Sequence, residues 1–149
     1  MLKKVLVVDD SPLIQQMYSL VLSRYKCDIV SALNGQEAFD KLAGHKDVEL
    51  ILLDVNMPVM NGLQFLEKAS AAMIPSRIPV IIISTEGKEE DVLRGLKLGA
   101  RGYLKKPFHP DRLHELLEKI FANKLSVSEV GAVSSAQPKA FTMAASRAL

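Results

Sequence analysis

The chain predicts an α/β fold: a doubly wound, five-stranded parallel sheet with five helices. Three short apolar runs, Val5-Leu6-Val7-Val8, Leu50-Ile51-Leu52-Leu53 and Val80-Ile81-Ile82-Ile83, show no polar alternation. Runs of that kind are strands buried on both faces, as in a parallel sheet covered by helices. Each run also ends on a residue suited to chemistry: Asp9-Asp10, Asp54 and Ser84-Thr85, while Gly102-Tyr103-Leu104 leads into Lys105-Lys106-Pro107. The carboxyl ends of parallel strands share one edge of the sheet, so three carboxylates, two hydroxyls and at least one lysine converge there. Carboxylates that close repel one another, and a bound divalent cation or a raised pKa resolves the repulsion. The cation is the reading adopted.

The elements follow in order. After the first strand, Ser11-Pro12 reads as an N-cap with proline at the first helical position, and Leu13, Ile14, Met17, Leu20 and Val21 form the stripe of the first helix. Residues 27–32 make a second strand, more exposed and at an edge. Asn34-Gly35 turns the chain into a second helix, over residues 36–43, with Ala38, Phe39 and Leu42 inward and Gly44 at its end. The third strand, 49–53, delivers Asp54 into the loop from Val55 to Gly62, and a third helix spans 63–72. Pro75 and Pro79 bracket a connection to the fourth strand. A fourth helix over 89–98 carries Val92, Leu93 and Leu96 inward, with Gly87 and Gly95 weakening it and Gly99 stopping it. A short fifth strand, 101–104, precedes a helix opened by Pro110-Asp111 with Leu113, Leu116, Leu117, Ile120 and Phe121 on one face. Strict alternation with right-handed crossovers makes the sheet doubly wound. The flavodoxin-like order 2-1-3-4-5 places the switch point where Asp9, Asp10 and Asp54 meet.

Composition narrows the function. The chain has 149 residues, enough for one domain with a real core, and a net charge of +2, too small to imply direct nucleic-acid binding. No apolar run is long enough to cross a membrane, and Met1 leads into a strand without a signal-peptide pattern, so the expected location is cytoplasmic. The lone Cys27 excludes an internal disulfide and reads as a half-buried core thiol. His45, His109 and His114 share no metal-ligand spacing and read as surface residues. From Asn123 the composition turns to Ala, Ser, Val and Gly, so residues 123–149 are expected to form a tail or linker, with a short helix near 139–149 carrying Phe141, Ala144, Ala145 and Ala148 on one face.

With VVDD-S at residues 7–11, LLDVNMPVMNG at 52–62, IIISTE at 81–86 and LGARGYLKKPF at 98–108, residues 1–122 closely resemble the receiver domain of bacterial two-component response regulators, of the single-domain chemotaxis type. The resemblance implies that Asp54 is the phosphoacceptor, served by a separate sensor histidine kinase. It implies Mg²⁺ held by Asp10, Asp54 and the Asn56 carbonyl, with Asp9 acting largely through a water; hard oxygen ligands suit that ion. Ser84 and Lys106 would complete the phosphoryl cradle, since phosphoryl transfer needs little beyond positioning and electrostatics. Lys105 is expected at the surface, and the Lys106-Pro107 bond is expected cis. Ser84 and Tyr103 match the switch pair; Ser84 stands where the family most often has threonine, so its torsion is less stiff. Asn56 and Glu86 match the positions that control water access to the acyl phosphate. Output is expected through helix 4, strand 5 and helix 5 to a protein target, on a surface made basic by Arg94, Lys97, Arg101 and Lys105.

Other readings are weaker on the residues. Haloacid-dehalogenase-type phosphatases open their aspartate motif as D-x-D after the first strand, whereas Asp9 and Asp10 are adjacent, so enzymatic turnover of phosphomonoesters is not expected. A flavin-binding relative of the fold would need loops rich in Ser, Thr and Gly in place of acidic ones. A phosphorylation-independent protein-binding module is the remaining alternative, against which stands the complete set of acidic pair, acceptor, hydroxyl and lysine.

Overall fold

The computed structural model describes residues 2–85 and 89–122. Five parallel strands, β1 (Lys4–Val8), β2 (Asp28–Ala32), β3 (Leu50–Asp54), β4 (Val80–Ser84) and β5 (Gly102–Lys105), lie in the order β2-β1-β3-β4-β5, as expected. Every side chain of β3 and β4 is buried, whereas β2 sits at an edge and exposes Asp28 and Ser31. Alternation along the strands splits the core into two layers. Leu6, Val8, Ile51, Leu53 and Ile82 face α2 (Gly35–Gly44) and α3 (Gly62–Ala71), and Val5, Val7, Leu52, Ile81 and Ile83 face α1 (Pro12–Leu22) and the helix Pro110–Ile120.

Helix starts follow their caps. The Ser11 hydroxyl accepts from the Ile14 amide at 3.3 Å, with Pro12 opening α1. Asn34 caps α2 through the Glu37 amide at 2.9 Å, and Asn61 and Gln64 form a reciprocal capping box on α3. These caps fix where the chain leaves each strand end, and so fix the loops that carry the site.

Three expectations are corrected. Among the described residues the α-helices number six, because residues Ile74–Arg77 form an additional short helix, α4, inside the connection bracketed by Pro75 and Pro79. Burial of Ile74 and Pro75 holds it in place, and Gly99, at φ 110°, turns directly over Pro75. The helices after it are therefore α5 (Glu89–Lys97) and α6 (Pro110–Ile120). On α1, Leu13 and Leu20 are 73% and 77% exposed instead of inward. Together with Tyr18 and Leu22, the apolar residues at 13, 14, 17, 20 and 21 span an arc of roughly 200° at 3.6 residues per turn, more than one sheet face can cover, and burial of Tyr18, Leu22 and Gln15 decides the rotation. His114 is also no surface residue: it is buried on α6 between Leu113 and Leu117, with its Nδ1 2.7 Å from the Tyr25 hydroxyl. Burial lowers its pKa, which favours the neutral ring as acceptor of the phenolic proton.

Glycines serve close approach more than flexibility. Gly95 faces the sheet from α5, where a side chain would collide with Ile82. Gly62 opens α3 against the end of β3: its amide donates to the Val55 carbonyl at 2.8 Å, and a Cβ there would collide with the Asp54 carbonyl and lie 2.8 Å from Val55 Cα. Backbone cannot swing aside as a side chain can. Gly62→Ala is therefore expected to lower stability by about 1–3 kcal/mol, measured as a fall in the urea midpoint. Because the collision is with the Asp54 peptide, the damage should also reach the site.

Candidate functional site

The register brings the strand ends level. Val8 pairs with Leu53, Asp54 with Ile83, and Ser84 with Lys105, so residues leaving β1, β3, β4 and β5 share one edge. There the carboxylates of Asp9, Asp10 and Asp54 offer oxygens that all lie within 4.8 Å of one another. Asp9 is 2% exposed and Asp54 is buried, while Asp10 faces solvent. The Asp9 carboxylate accepts from the Ser11 amide at 3.0 Å and from Lys106 Nζ at 2.7 Å. Lys106 Nζ also lies 3.5 Å from Asp54 Oδ1, so one ammonium bridges two of the three acids.

At this buried strand end the pKa of Asp54 is raised to about 6. Burial is the main cause and the neighbouring Asp9 and Asp10 add to it, while Lys106 pulls the other way. A group of hard carboxylate oxygens with one solvent-facing member and an excess of negative charge fits a divalent cation with open coordination positions.

Most predicted site residues converge. Ser84 is buried, and strand alternation puts it on the same sheet face as Ile82, which pairs with Tyr103. Tyr103 packs partly buried against the layer covered by α2 and α3, and its hydroxyl is buried without a hydrogen-bond partner. The Lys106-Pro107 peptide is cis, and Lys105 is exposed, as expected. Asn56 lies exposed in the loop after Asp54, and Thr85 is exposed beyond Ser84. Glu86 and Gly87 lie outside the described residues, as does the tail from Asn123. Arg94 is exposed and forms an ion pair with Glu67 of α3, and Lys97, Arg101 and Lys105 are exposed as well.

Two residues at the site escaped the sequence reading. Tyr18, buried on α1, stacks on Phe108 with ring centroids 6.2 Å apart. Its pKa is raised by burial and further by Asp9 and Asp54, which places the phenol within their field. Gln15, 8% exposed, directs its amide nitrogen at the carbonyls of Val7, Asp9 and Ala32 at 3.0, 3.1 and 3.1 Å. The stripe at 15, 18 and 22 was the available signal, masked by Leu13 and Leu20.

A parallel sheet that gathers an acidic trio, a lysine and a hydroxyl at its carboxyl edge defines a receiver. Residues 5–118 match the response regulator receiver domain, and the chain belongs to that family. It is a CheY-like receiver of two-component signal transduction. It is 41% identical over 119 residues to chemotaxis protein CheY1 of Helicobacter pylori, covering 78% of this chain and 95% of that protein. The solved structure of chemotaxis protein CheY4 of Vibrio cholerae matches with a TM-score of 0.72 at 35% identity, covering 80% of this chain and 98% of that one. A CheX–CheY–BeF3–Mg complex from Borrelia burgdorferi matches at a TM-score of 0.73 and 28% identity, over 80% of this chain and 89% of that one. The resemblance drawn from the sequence motifs is borne out.

Proposed function

We propose that this receiver accepts a phosphoryl group on Asp54 from the phosphohistidine of a sensor kinase and thereby switches a protein-binding surface. The observation that carries this reading is the acidic trio within 4.8 Å with Lys106 bridging Asp9 and Asp54. Asp10, Asp54 and the Asn56 carbonyl would hold Mg²⁺, which neutralises phosphoryl charge when bound. An Asp54 oxygen forms the new P–O bond as the P–N bond of the donor breaks. The imidazole leaves with that electron pair and takes a proton from solvent. Lys106 neutralises a phosphoryl oxygen, and the Ser84 hydroxyl donates to another. The Borrelia relative, solved with BeF3 and Mg, supports both parts of this site.

Asn56 is polar and exposed beside the acceptor, so water reaches the acyl phosphate and the phosphorylated state is short-lived. Glu86 would share that control. The signal leaves through α5, β5 and α6: Ser84 moves toward the phosphoryl group, Tyr103 fills the vacated space, and the packing of α5 shifts. Exposed Lys97, Arg101 and Lys105 favour an acidic segment of a protein target. Self-catalysed transfer and dephosphorylation are the only chemistry assigned. No helix among the described residues is long and apolar enough to cross a membrane.

The test is incubation with a small-molecule phosphodonor and Mg²⁺ followed by intact-mass analysis. One base-labile phosphoryl adduct that needs the metal is expected. Absence of any adduct, with the fold intact, would leave the phosphorylation-independent binding module as the better reading.

A further inference from the structure

We propose that Gln15 is a positioning residue that sets the direction of the Asp9–Asp10 peptide and so holds Asp10 in place for a divalent cation; this rests on the metal-dependent reading above. The side chain lies on the buried face of α1, where an apolar residue would pack without polar penalty. Its amide nitrogen reaches three carbonyls on two segments of backbone, β1 with its exit and the end of β2. The Val7 oxygen lies inside β1, the Asp9 oxygen on the peptide that leads into Asp10, and the Ala32 oxygen at the end of β2. Ala32 O already accepts from the Asp9 amide at 3.0 Å, so Gln15 and Asp9 meet on the same acceptor.

The surroundings fix the orientation of the amide. Turned the other way, its oxygen would face three carbonyl oxygens with no proton between them. As it stands, the two amide protons serve three acceptors, while Oε1 is buried without a hydrogen-bond partner. A residue selected only to fill the core would not leave a buried acceptor unsatisfied, because a methionine or leucine fills the same space without that penalty. The arrangement makes sense if what matters is the N–H donor and the carbonyls it ties together.

The consequence falls unequally on the acidic pair. The Asp9 side chain has anchors of its own, in the Ser11 amide and Lys106. Asp10 projects into solvent from the peptide whose carbonyl Gln15 holds. Loosening that peptide therefore moves Asp10 relative to Asp54 and leaves Asp9 comparatively fixed. Outer partners that orient metal ligands typically carry about 10–100-fold in metal affinity.

The experiment measures Mg²⁺ affinity by isothermal titration calorimetry on the full chain, alongside the thermal midpoint and the amide NMR shift of Asp10. Gln15→Met keeps the volume and removes the donor; Gln15→Asn keeps the amide but withdraws it by one methylene. Gln16→Met, on the exposed neighbouring position, is the control. Gln15→Met is expected to bind Mg²⁺ about 10-fold more weakly at a temperature where it is fully folded, with Gln15→Asn intermediate and the control unchanged. The Asp10 amide should shift in both Gln15 variants before metal is added. Wild-type affinity in folded Gln15→Met overturns the proposal, and so does loss of the fold in both variants, which would make Gln15 a structural residue alone. Failure of the wild-type protein to bind Mg²⁺ would instead overturn the metal-dependent reading on which this one rests.

Discussion

Asp54→Asn is expected to abolish phosphoryl uptake and, in the absence of divalent cation, to make the fold more stable. The two effects have one origin. Asp54 is buried at the end of β3 beside two other carboxylates, and its pKa is raised from the ordinary 3.8 to about 6. A carboxyl whose folded-state pKa is raised stabilises the fold fully below its unfolded pKa, and that contribution is lost as pH rises through the folded pKa. Metal-free wild-type protein should therefore lose on the order of 2–3 kcal/mol between pH 4 and pH 7 from this group alone. Asparagine keeps the shape without the charge, so the variant should match wild type near pH 3.5 and exceed it by that margin at pH 7. Urea midpoints in chelator at the two pH values measure the difference. Saturating Mg²⁺ should narrow or reverse the gap, because the cation binds the wild-type trio better and ligand binding stabilises by mass action. The amide oxygen is a poor nucleophile, and its nitrogen cannot leave a stable acyl phosphate behind. A phosphorylated Asp54→Asn protein would sink the assignment of the acceptor.

The parts of this site that could be read from sequence are those set by strand ends. A run such as Leu50 to Leu53, buried on both faces, allows only one kind of sheet, and such a sheet allows only one edge for Asp54. The same logic brought Asp9, Asp10, Ser84-Thr85 and Lys105-Lys106 to that edge, while the choice of Ser84 and Lys106 within their pairs came from the resemblance to the family. What it could not reach depends on side-chain contacts between elements. His114 was assigned to the surface because a histidine among Glu115, Glu118 and Lys119 looks polar, yet its ring is buried by Tyr25, 89 residues away. Gln15 was hidden because α1 offers more apolar residues than its buried face can take, and which ones lose is settled by Tyr18 and by three backbone carbonyls. The short helix α4 was missed because prolines read as breaks, although proline is well suited to a first turn. Helical spacing likewise does not reveal that Glu67 lies opposite Arg94.

Lys106→Met should separate metal binding from phosphoryl transfer. The ammonium lies 2.7 Å from Asp9 Oδ2 and 3.5 Å from Asp54 Oδ1, and it is the group that counters the burial of Asp54. Methionine has a similar length and no charge. Without the lysine, the Asp54 pKa rises further, and fewer molecules carry the ionised nucleophile at neutral pH. The phosphoryl oxygens also lose a fixed positive charge in a site shielded from water, a loss typically worth about 10²–10³ in rate. Metal-free stability should fall by about 3 kcal/mol, because Asp9 keeps its burial and loses its cation. Mg²⁺ affinity should hold or rise, since the ion no longer competes with an ammonium for the same carboxylates. That result is the opposite of the one expected for Gln15→Met, which disturbs where Asp10 stands and leaves the charge of the site unchanged. The decisive measurement pairs calorimetric Mg²⁺ binding with the rate of adduct formation from a small-molecule phosphodonor. If Lys106→Met lost metal affinity and kept its phosphorylation rate, the lysine would be a strut for the acidic pair, and the phosphoryl charge would have to be met by other groups at this edge of the sheet.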